Sequence, residues 1–302
     1  MLIKQRPFVP INSEGMEVFN YPVTDLPYTI LYADIAKYRP PLVPWSWHEE
    51  NELIIVYSGE LIVYLSNKRI RLSEGNGLFI NANVLHSMEI AKGLQCEVLT
   101  FIFKPTLFLG DKGGLLYEKY GVPILKNRSL DSYVLSQEES WQKESLIYMK
   151  EVYEAYLNDE CAHEMLICEM LQYIWRNIYI HNLSEMDSNT SLDIKEQRLK
   201  EMLQFIHEHY MESITLSQIA ACINMSPREI NRYFQISIGC SPMAYVVKHR
   251  ITVGANLLIN SSDSITDIAI KTGFNSVSHF VQTFKKFYLC TPKVYRTQKD
   301  YK

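Results

Sequence analysis

With 302 residues, the chain is long enough to form two domains that each bury a core. A hydrophobic fraction of 47% and a charged fraction of 21% are ordinary for a globular protein. The first residues, MLIKQRPFVPINSEG, contain no apolar run like that of a signal peptide. No stretch reaches the roughly 18 uncharged apolar residues that a membrane span requires. We therefore expect a chain that stays in the cytoplasm and contacts no membrane.

The charge is unevenly distributed along the chain. The formal net charge is −4, which by itself argues weakly against a nucleic-acid partner. From Leu192 onward, however, 14 Lys and Arg stand against 9 Asp and Glu, whereas the preceding 191 residues contain 16 and 25. A basic C-terminal third behind an acidic remainder favours DNA binding by one domain only.

The six cysteines are scattered without any C-x-x-C spacing, so neither a zinc finger nor a disulfide framework is expected. We expect buried, reduced thiols instead. The cysteines are Cys96, Cys161, Cys168, Cys222, Cys240 and Cys290.

Residues from about 25 to 105 have the pattern of short strands. The apolar runs are YTILYADIA, ELIIVY, ELIVYL, RIRL, GLFI and EVLTFIF. Turn signals separate them at Ser58-Gly59, at Ser66-Asn67 and from Glu74 to Gly77. Many short strands at close spacing predict a small barrel or sandwich.

The pattern becomes helical from Gln137 on. One amphipathic run ends at Asn158-Asp159, and a second extends from Met165 to Ile180. The second run has apolar side chains at helical spacing, namely Leu166, Met170, Tyr173 and Ile174. These side chains offer a seam for a second copy of the chain, or they pack on the barrel. The polar segment NLSEMDSNTSLD follows and is the predicted interdomain linker.

Near the C-terminus the sequence repeats itself. The segment from Thr215 matches the segment from Ser264, first at an offset of 49 residues and, past the turn, at an offset of 50. Matched positions include Ile219-Ala220 with Ile268-Ala269, Phe234 with Phe284, Ser241-Pro242 with Thr291-Pro292 and Tyr245 with Tyr295. The second copy therefore has one extra residue in its turn.

The matched positions include the predicted helix starts and turns, where capping residues and a left-handed backbone are required. Thr215-x-x-Gln218 and Ser264-x-x-Asp267 have the form of capping boxes, and Ser226-Pro227-x-Glu229 begins another helix. Asn224 and Gly273 stand in the turns, where the backbone must be left-handed. Each copy is thus predicted to be a helix, a short turn and a second helix, with a connecting helix from Pro242 to about Asn260.

The second helix of each copy separates into an apolar and a polar face. The inward stripes are Ile230, Tyr233, Phe234 and Ile238 in the first copy and Phe280, Phe284 and Phe287 in the second. The predicted DNA-contacting residues are Arg228, Asn231, Arg232, Gln235, Ser278, His279, Gln282, Lys285 and Lys286. Arg, Asn and Gln pair with guanine and adenine in the major groove, and lysines suit phosphates. Glu229 is interpreted as a capping residue. The alternative, two solvated faces of a helical bundle, is disfavoured by the duplication and the matched caps.

This region resembles the DNA-binding domain of the AraC/XylS family, which has two such units joined by a central helix. The motif segments extend over Arg250 to Leu258, Ile265 to Phe274, Phe280 to Tyr288 and Thr291 to Arg296. The resemblance covers about a third of the chain. Three departures stand out: Leu289 replaces a usual glycine, Gln282 replaces a frequent arginine, and the second copy lacks the proline that follows Ser226.

The strand-rich region resembles the cupin-type effector barrels that many such regulators carry. His48-x-x-x-Glu52 and His86 form three quarters of the cupin metal constellation, and Ser46 occupies the position of the missing histidine. Two histidines and a carboxylate can hold iron, manganese or zinc. Since regulators of this family usually keep the barrel as a metal-free pocket, we expect no metal and no cofactor. Trp45, Trp47, Tyr57 and Tyr64 either offer stacking surface for a sugar or fill the core.

The resemblance implies a sequence-specific DNA-binding transcription regulator and not an enzyme. Its partners would be double-stranded DNA and a small-molecule effector such as a sugar, bound by Trp47, His48, Glu52, Tyr57 and His86. A homodimer is favoured because doubling enlarges the DNA site and its specificity. The alternatives are a metal-dependent cupin enzyme with an appended helical domain and a dimeric binding protein that has lost its affinity for DNA.

The expected fold class is α+β. Residues 1–136 are predicted to form a small cupin-like β-barrel, 137–182 a helical dimerisation element and 183–193 the linker. Residues 194–302 are predicted to form an all-α domain with two helix-turn-helix units.

Overall fold

The computed structural model of the chain describes residues 16–19, 21, 26–38, 41–66, 68–91, 95–127, 129–183 and 194–297. Contacts divide the chain into two compact units. The N-terminal unit holds Glu17–Lys37 and Leu42–Asp193, and the C-terminal unit is formed mainly by Ile194–Lys302. Residues 184–193, which make up nearly all of the predicted linker, lie outside the described part. Among the helices that are described, none is long and apolar enough to cross a membrane.

The N-terminal unit is an antiparallel, strand-rich fold, as the sequence predicts. Its described strands are β1 (Tyr28–Asp34), β2 (Leu42–Ser46), β3 (Asn51–Leu65), β4 (Lys68–Ser73), β5 (Gly77–Ile80), β6 (His86–Ile90), β7 (Cys96–Phe103) and β8 (Ser132–Leu135). One sheet has the order β1-β7-β3-β5-β8, while β6 pairs with both β2 and β3, and β4 pairs with β3. The long strand β3 therefore pairs both with strands of this order and with β4 and β6, and it joins the two groups of strands.

The predicted turn at Ser58-Gly59 is wrong. Strand β3 runs through these residues, and the pairing with β7 shifts register between Val56 and Ser58. Gly59 has φ +79°, and a Cβ there would lie 1.7 Å from the main-chain oxygen of Gln95. Glycine is thus required for a bulge inside a strand, a role that a turn signal resembles in sequence.

One face of the larger sheet packs against helices. The helices of the N-terminal unit are α1 (Thr106–Leu109), α2 (Val122–Lys126), α3 (Ser140–Leu157) and α4 (His163–His181), with a π-helical turn at Tyr117–Gly121. Trp175 of α4 contacts the rings of Phe79 and Phe103, which ties α4 to the sheet. The sequence predicts α3 and α4 but not the helical segment between residues 106 and 126.

Most of the apolar seam predicted on α4 is buried in this core. Met170 and Ile174 are fully buried, and Leu166 and Tyr173 are partly buried against the same cluster. Packing on the sheet, the second of the two possibilities, is what these four side chains do.

The C-terminal unit is helical throughout its described residues. Its helices are α5 (Ile194–His209), α6 (Leu216–Cys222), α7 (Pro227–Ile238), α8 (Pro242–Asn260), α9 (Ile265–Lys271), α10 (Val277–Tyr288) and α11 (Pro292–Thr297). The connecting helix α8 has the predicted bounds. Its buried stripe contains Val246, Ile251, Gly254 and Leu258, whereas Val247 is only partly buried.

The expectation of uniformly buried thiols is wrong at two positions. All six cysteines are free and Cys96 is buried, but Cys161 and Cys222 are exposed.

Candidate nucleic-acid interface and candidate effector site

The first helix-turn-helix, α6 and α7, is fixed at both helix starts by reciprocal hydrogen bonds. Thr215 Oγ1 accepts from the amide of Gln218 at 3.3 Å, and Gln218 Oε1 accepts from the amide of Thr215 at 2.8 Å. Ser226 and Glu229 repeat this arrangement at the start of α7, with Pro227 at the first helical position. Asn224, in the turn between the helices, has φ +53°. The predicted capping boxes and left-handed turn are confirmed.

The second helix-turn-helix, α9 and α10, has the same layout with weaker capping. Ser264 and Asp267 form a capping box at α9, and Gly273 in the turn has φ +76°. Helix α10 is capped by Ser276 alone, whose Oγ accepts from the amide of His279 at 3.2 Å.

The predicted DNA-contacting side chains all lie on exposed surface. On α7 these are Arg228, Asn231, Arg232 and Gln235, and on α10 they are Ser278, His279, Gln282, Lys285 and Lys286. The opposite stripes are anchored by Ile230, Phe234, Phe280 and Phe284, which are fully buried. The structure thus brings each predicted set onto one outward face of one helix; contact with DNA stays a prediction.

Three of these exposed residues have partners within the chain. Gln235 donates to the main-chain oxygen of Gly239 at 3.0 Å, and the ring of His279 lies edge-on to Phe274 at 5.2 Å. Hydrogen bonds with Ser226 hold the pKa of the Glu229 carboxyl below its usual value, and the positive charge of Arg232 adds to this shift. The interpretation of Glu229 as a capping residue therefore agrees with its contacts.

Two arginines outside the predicted set position the helix-turn-helix units. Arg250 of α8 donates to the main-chain oxygens of Tyr210 and Glu212 at 2.7 and 2.6 Å, just before the cap at Thr215. Arg296 of α11 donates to the main-chain oxygens of Leu258 and Asp263 at 3.3 and 2.6 Å, just before the cap at Ser264. Both arginines satisfy carbonyls at a helix end and fix the entry into the following unit.

In the barrel, three of the predicted pocket residues come together. His48, Glu52 and His86 are buried, and one ligand atom from each lies within 4.8 Å of the others. Glu52 Oε2 is 3.5 Å from His48 Nε2 and 3.2 Å from His86 Nε2. Burial favours the uncharged forms, but the opposing charges prevail, so the pKa of Glu52 lies below and that of His86 above its ordinary value.

Glu17, which the sequence does not single out, lies next to this cluster. Its amide donates to the main-chain oxygen of Trp47 at 2.9 Å, and its Oε2 accepts from the hydroxyl of Ser46 at 3.2 Å. Burial raises the pKa of Glu17, while the charges of His48 and His86 oppose that shift. Glu17 is 31 residues before His48, so no spacing pattern connects the two.

The other two predicted pocket residues have different surroundings. Trp47 is buried beside His48 in the chain. Tyr57 lies against the rings of Tyr32 and Tyr153, in the layer between sheet and helices, where burial raises its pKa to about 12. The structure does not bring Tyr57 together with the His48–Glu52–His86 cluster, because residues 52 and 57 of one strand point to opposite faces.

Comparisons with known proteins match both units. Residues 219–298 match the family described as a helix-turn-helix domain, and residues 40–102 match the family described as a cupin domain. The HTH-type transcriptional regulator YdeC of Bacillus subtilis (strain 168) is 28% identical over 286 residues, which cover 95% of this chain and 97% of YdeC. The melibiose operon regulatory protein of Escherichia coli (strain K12) is 25% identical over 270 residues, 87% of either chain. The solved structure of apo ToxT from Vibrio cholerae aligns over 90% of this chain and 98% of its own, at 13% identity and a TM-score of 0.46.

Proposed function

We propose that the chain is a transcription regulator of the AraC/XylS family with an N-terminal cupin-like domain, and that it reads DNA with the outward faces of α7 and α10. The observation that carries this proposal is the matched exposure of polar side chains on two helices that begin at equivalent points of a duplicated unit. Such side chains pair with base edges in the major groove, and the capped helix starts suit phosphates.

The experiment is a selection of genomic fragments with the full-length chain, followed by affinity measurements over a range of salt concentrations. We expect a shared motif among the bound fragments. Affinity for it should fall as salt rises, because lysines and arginines release counterions from the phosphates. Equal recovery of all fragments would contradict sequence-specific reading, and an affinity that is independent of salt would contradict binding through the basic faces.

We propose that the barrel holds a small-molecule effector near His48, Glu52 and His86, and that sugars are the first class to test. Buried polar groups that converge on one point are typical of ligand sites. Among the relatives, the melibiose operon regulatory protein has a sugar operon in its name. Binding of a ligand would bias the arrangement of the DNA-binding units through its differential affinity for two states.

Replacing His48 tests the pocket. In His48→Ala, the response of DNA binding to the effector should be lost while the affinity without effector is unchanged. His163→Ala, which removes an imidazole from α4 of the same unit, is the matched control and should respond normally. If the response survives in His48→Ala, the role of His48 is structural.

The regulator is further proposed to act in the cytoplasm as a homodimer. The predicted seam on α4 is largely buried, but Met165 and Ile147 remain exposed on α4 and α3, at 66% and 46%. Sedimentation equilibrium of the full chain measures the assembly state. We expect Met165→Glu to shift the chain toward monomers; a chain that is monomeric at all concentrations would contradict the dimer.

A further inference from the structure

The outward face of α7 carries an apolar side chain besides its polar residues. Ile236 is 75% exposed, whereas Ile230 and Phe234 of the same helix are fully buried. Throughout α7 and α10, both of which are described from end to end, Ile236 is the one large apolar side chain that is exposed. Single exposed isoleucines are ordinary on protein surfaces, so only its position on the helix distinguishes Ile236 from other surface residues.

Ile236 continues the row that the two arginines of α7 begin. Arg228, Arg232 and Ile236 are spaced four residues apart, and all three are exposed. In an α-helix, residues with this spacing lie on one side and are about 6 Å apart along the axis. The row is therefore about 12 Å long, which is comparable to the width of the major groove, about 12 Å. A groove that receives both arginines thus extends to Ile236.

The last turn of α7 differs in chemistry from that of α10. It contains no basic residue, and Gln235 directs its amide to the main-chain oxygen of Gly239 at 3.0 Å. Helix α10 has Lys285 and Lys286 in its last turn, and Lys286 matches Ile236 at the offset of 50 residues. Where α10 presents a positive charge that suits a phosphate, α7 presents a branched aliphatic side chain.

An aliphatic side chain can recognise one feature of the base edges in the major groove. Guanine, adenine and cytosine present hydrogen-bond donors and acceptors there, whereas thymine adds a C5 methyl group. Isoleucine neither donates nor accepts, so contact with a polar edge would leave that edge without a partner. Contact with the methyl group removes apolar surface of both molecules from water, which is favourable.

We propose that Ile236 is a specificity-determining residue that selects thymine by contact with its C5 methyl group. This assignment rests on the proposed reading of DNA by α7 and adds an apolar contact to the polar ones. Arg232 and Ile236 are about 6 Å apart along the helix, and stacked base pairs are about 3.4 Å apart. The selected thymine therefore lies within about three base pairs of the base that Arg232 contacts.

The experiment uses the full-length chain and the DNA fragment of highest affinity from the genomic selection. Near the position where Arg232→Ala relaxes the base preference, each thymine is replaced in turn by deoxyuridine. This replacement removes the methyl group and keeps the hydrogen-bonding edge. We expect one such replacement to lower the affinity of the wild-type chain about three- to tenfold. Ile236→Ala should lose a similar factor on the thymine fragment and lose nothing further on the deoxyuridine fragment.

Two variants serve as controls. Ile270 is also an exposed isoleucine, at 65%, but it belongs to α9. Ile270→Ala should therefore keep the full preference for thymine over deoxyuridine. Ile236→Lys introduces the residue type found at the matched position of α10, so it should abolish this preference and make affinity fall more steeply with salt. Circular dichroism of each variant shows whether the helices are folded.

Two outcomes would overturn the role of Ile236. If no thymine near the Arg232 contact is preferred over deoxyuridine by the wild-type chain, Ile236 contacts no thymine methyl group. If the loss on deoxyuridine persists in Ile236→Ala, another side chain contacts the methyl group. In both cases the wild-type chain still selects a DNA motif, whereas a failure of the proposed function would leave no fragment preferred and would overturn both proposals.

Discussion

The two helix-turn-helix units share a backbone and differ in chemistry. Both have a capped first helix, a left-handed turn and a second helix whose aromatic stripe is buried. Helix α7 presents Arg228 and Arg232, whereas α10 presents no arginine and places Lys285 and Lys286 in its last turn. Duplication therefore preserved the positions of the helices while the outward residues diverged. We expect the first unit to discriminate bases and the second to contribute mainly phosphate contacts.

The cores behind the two units differ as well. Behind α7, His207 lies 4.3 Å from His249 between ring centroids and 3.1 Å from the hydroxyl of Tyr245. Behind α10 the corresponding cluster consists of Phe284, Tyr288 and Tyr295. Acidic pH should therefore lower the stability of the first unit and leave that of the second largely unchanged.

The largest expected effect tests whether both units read DNA. Helix α8 has 19 residues, which corresponds to a rod about 28 Å long, and no proline interrupts it after its first residue. Two units held on one rod should contact major grooves about 10 base pairs apart. An insertion of about 5 base pairs between the two contact clusters should reduce specific affinity at least about 100-fold, or roughly 3 kcal/mol.

Footprinting shows which grooves are protected, and competition between the natural and the lengthened site measures the loss of specific affinity. The same insertion placed outside the two clusters is the control and should be tolerated. A single protected groove per monomer, or indifference to the insertion, would mean that only the first unit reads DNA.

The two turns should differ strongly in their tolerance of alanine. A Cβ on Gly273 would lie 2.6 Å from the main-chain oxygen of Tyr210 and 2.9 Å from that of Met211, in addition to the left-handed backbone. Gly273→Ala should cost about 3 kcal/mol of unfolding free energy, and Asn224→Ala, which already has a Cβ, about 1 kcal/mol.

Unfolding can be followed separately in the two units. All four tryptophans lie in the N-terminal unit, so the unfolding transition seen by their fluorescence should not shift in either variant. The circular-dichroism transition of the helical C-terminal unit should shift to lower denaturant concentration. Equal losses in the two variants would show that the contact with Tyr210 and Met211 relaxes at little cost.

The histidine core predicts a pH dependence of the C-terminal unit. Burial lowers the pKa of His249 to about 4, aided by the charge of Arg250, and burial beside His249 lowers the pKa of His207. Both histidines are neutral when folded and bind protons more readily when unfolded, at a pKa near 6.5. Stability should therefore be full above about pH 6.5 and fall toward pH 4, by at most about 3 kcal/mol from His249.

Denaturant unfolding, followed by circular dichroism between about pH 7 and pH 4.5, measures the slope of the unfolding free energy against pH. His249→Phe keeps a ring in the stack with His207 and should flatten it. A slope that is unchanged in His249→Phe would assign the pH dependence to other groups.

On the DNA faces, we expect Arg232→Ala to weaken specific binding by about 1–3 kcal/mol and to relax preference at one or two base pairs. Gln282→Ala, on α10, should cost less than about 1 kcal/mol. Lys119→Ala removes one positive charge from an exposed site of the N-terminal unit and serves as the charge control. A binding selection with each variant gives both affinity and preference. An unchanged preference in Arg232→Ala, or a larger loss in Gln282→Ala, would reverse the proposed division of roles.

What the sequence predicts well is what short-range chemistry determines. The caps at Thr215, Ser226 and Ser264 need only residues three positions apart, and the buried aromatic stripes follow helical periodicity. Long-range contacts have no such signal. The bulge at Gly59 depends on the distant carbonyl of Gln95, and Glu17 reaches the His48 cluster only because the chain folds back beside Trp47. The contacts of Arg250 with the carbonyls of Tyr210 and Glu212 have no signal in the local sequence either.

The smallest effect isolates the end of the second helix in each unit. Gly239 and Leu289 occupy equivalent C-cap positions with φ +81° and +58°. A left-handed backbone at a leucine costs about 1–2 kcal/mol of stability. Because Leu289 is 85% exposed, packing of its side chain offsets little of this cost. Leu289→Gly should therefore stabilise the C-terminal unit by roughly 0.5–1 kcal/mol, after the greater freedom of glycine in the unfolded chain is deducted. Gly239→Ala is the matched change in the first unit. A Cβ there meets no atom within 4 Å, so its expected loss of about 1 kcal/mol reports the backbone alone. If Leu289→Gly is neutral or destabilising in circular-dichroism unfolding while Gly239→Ala is destabilising, the leucine makes a compensating contact and the two helix ends are not equivalent.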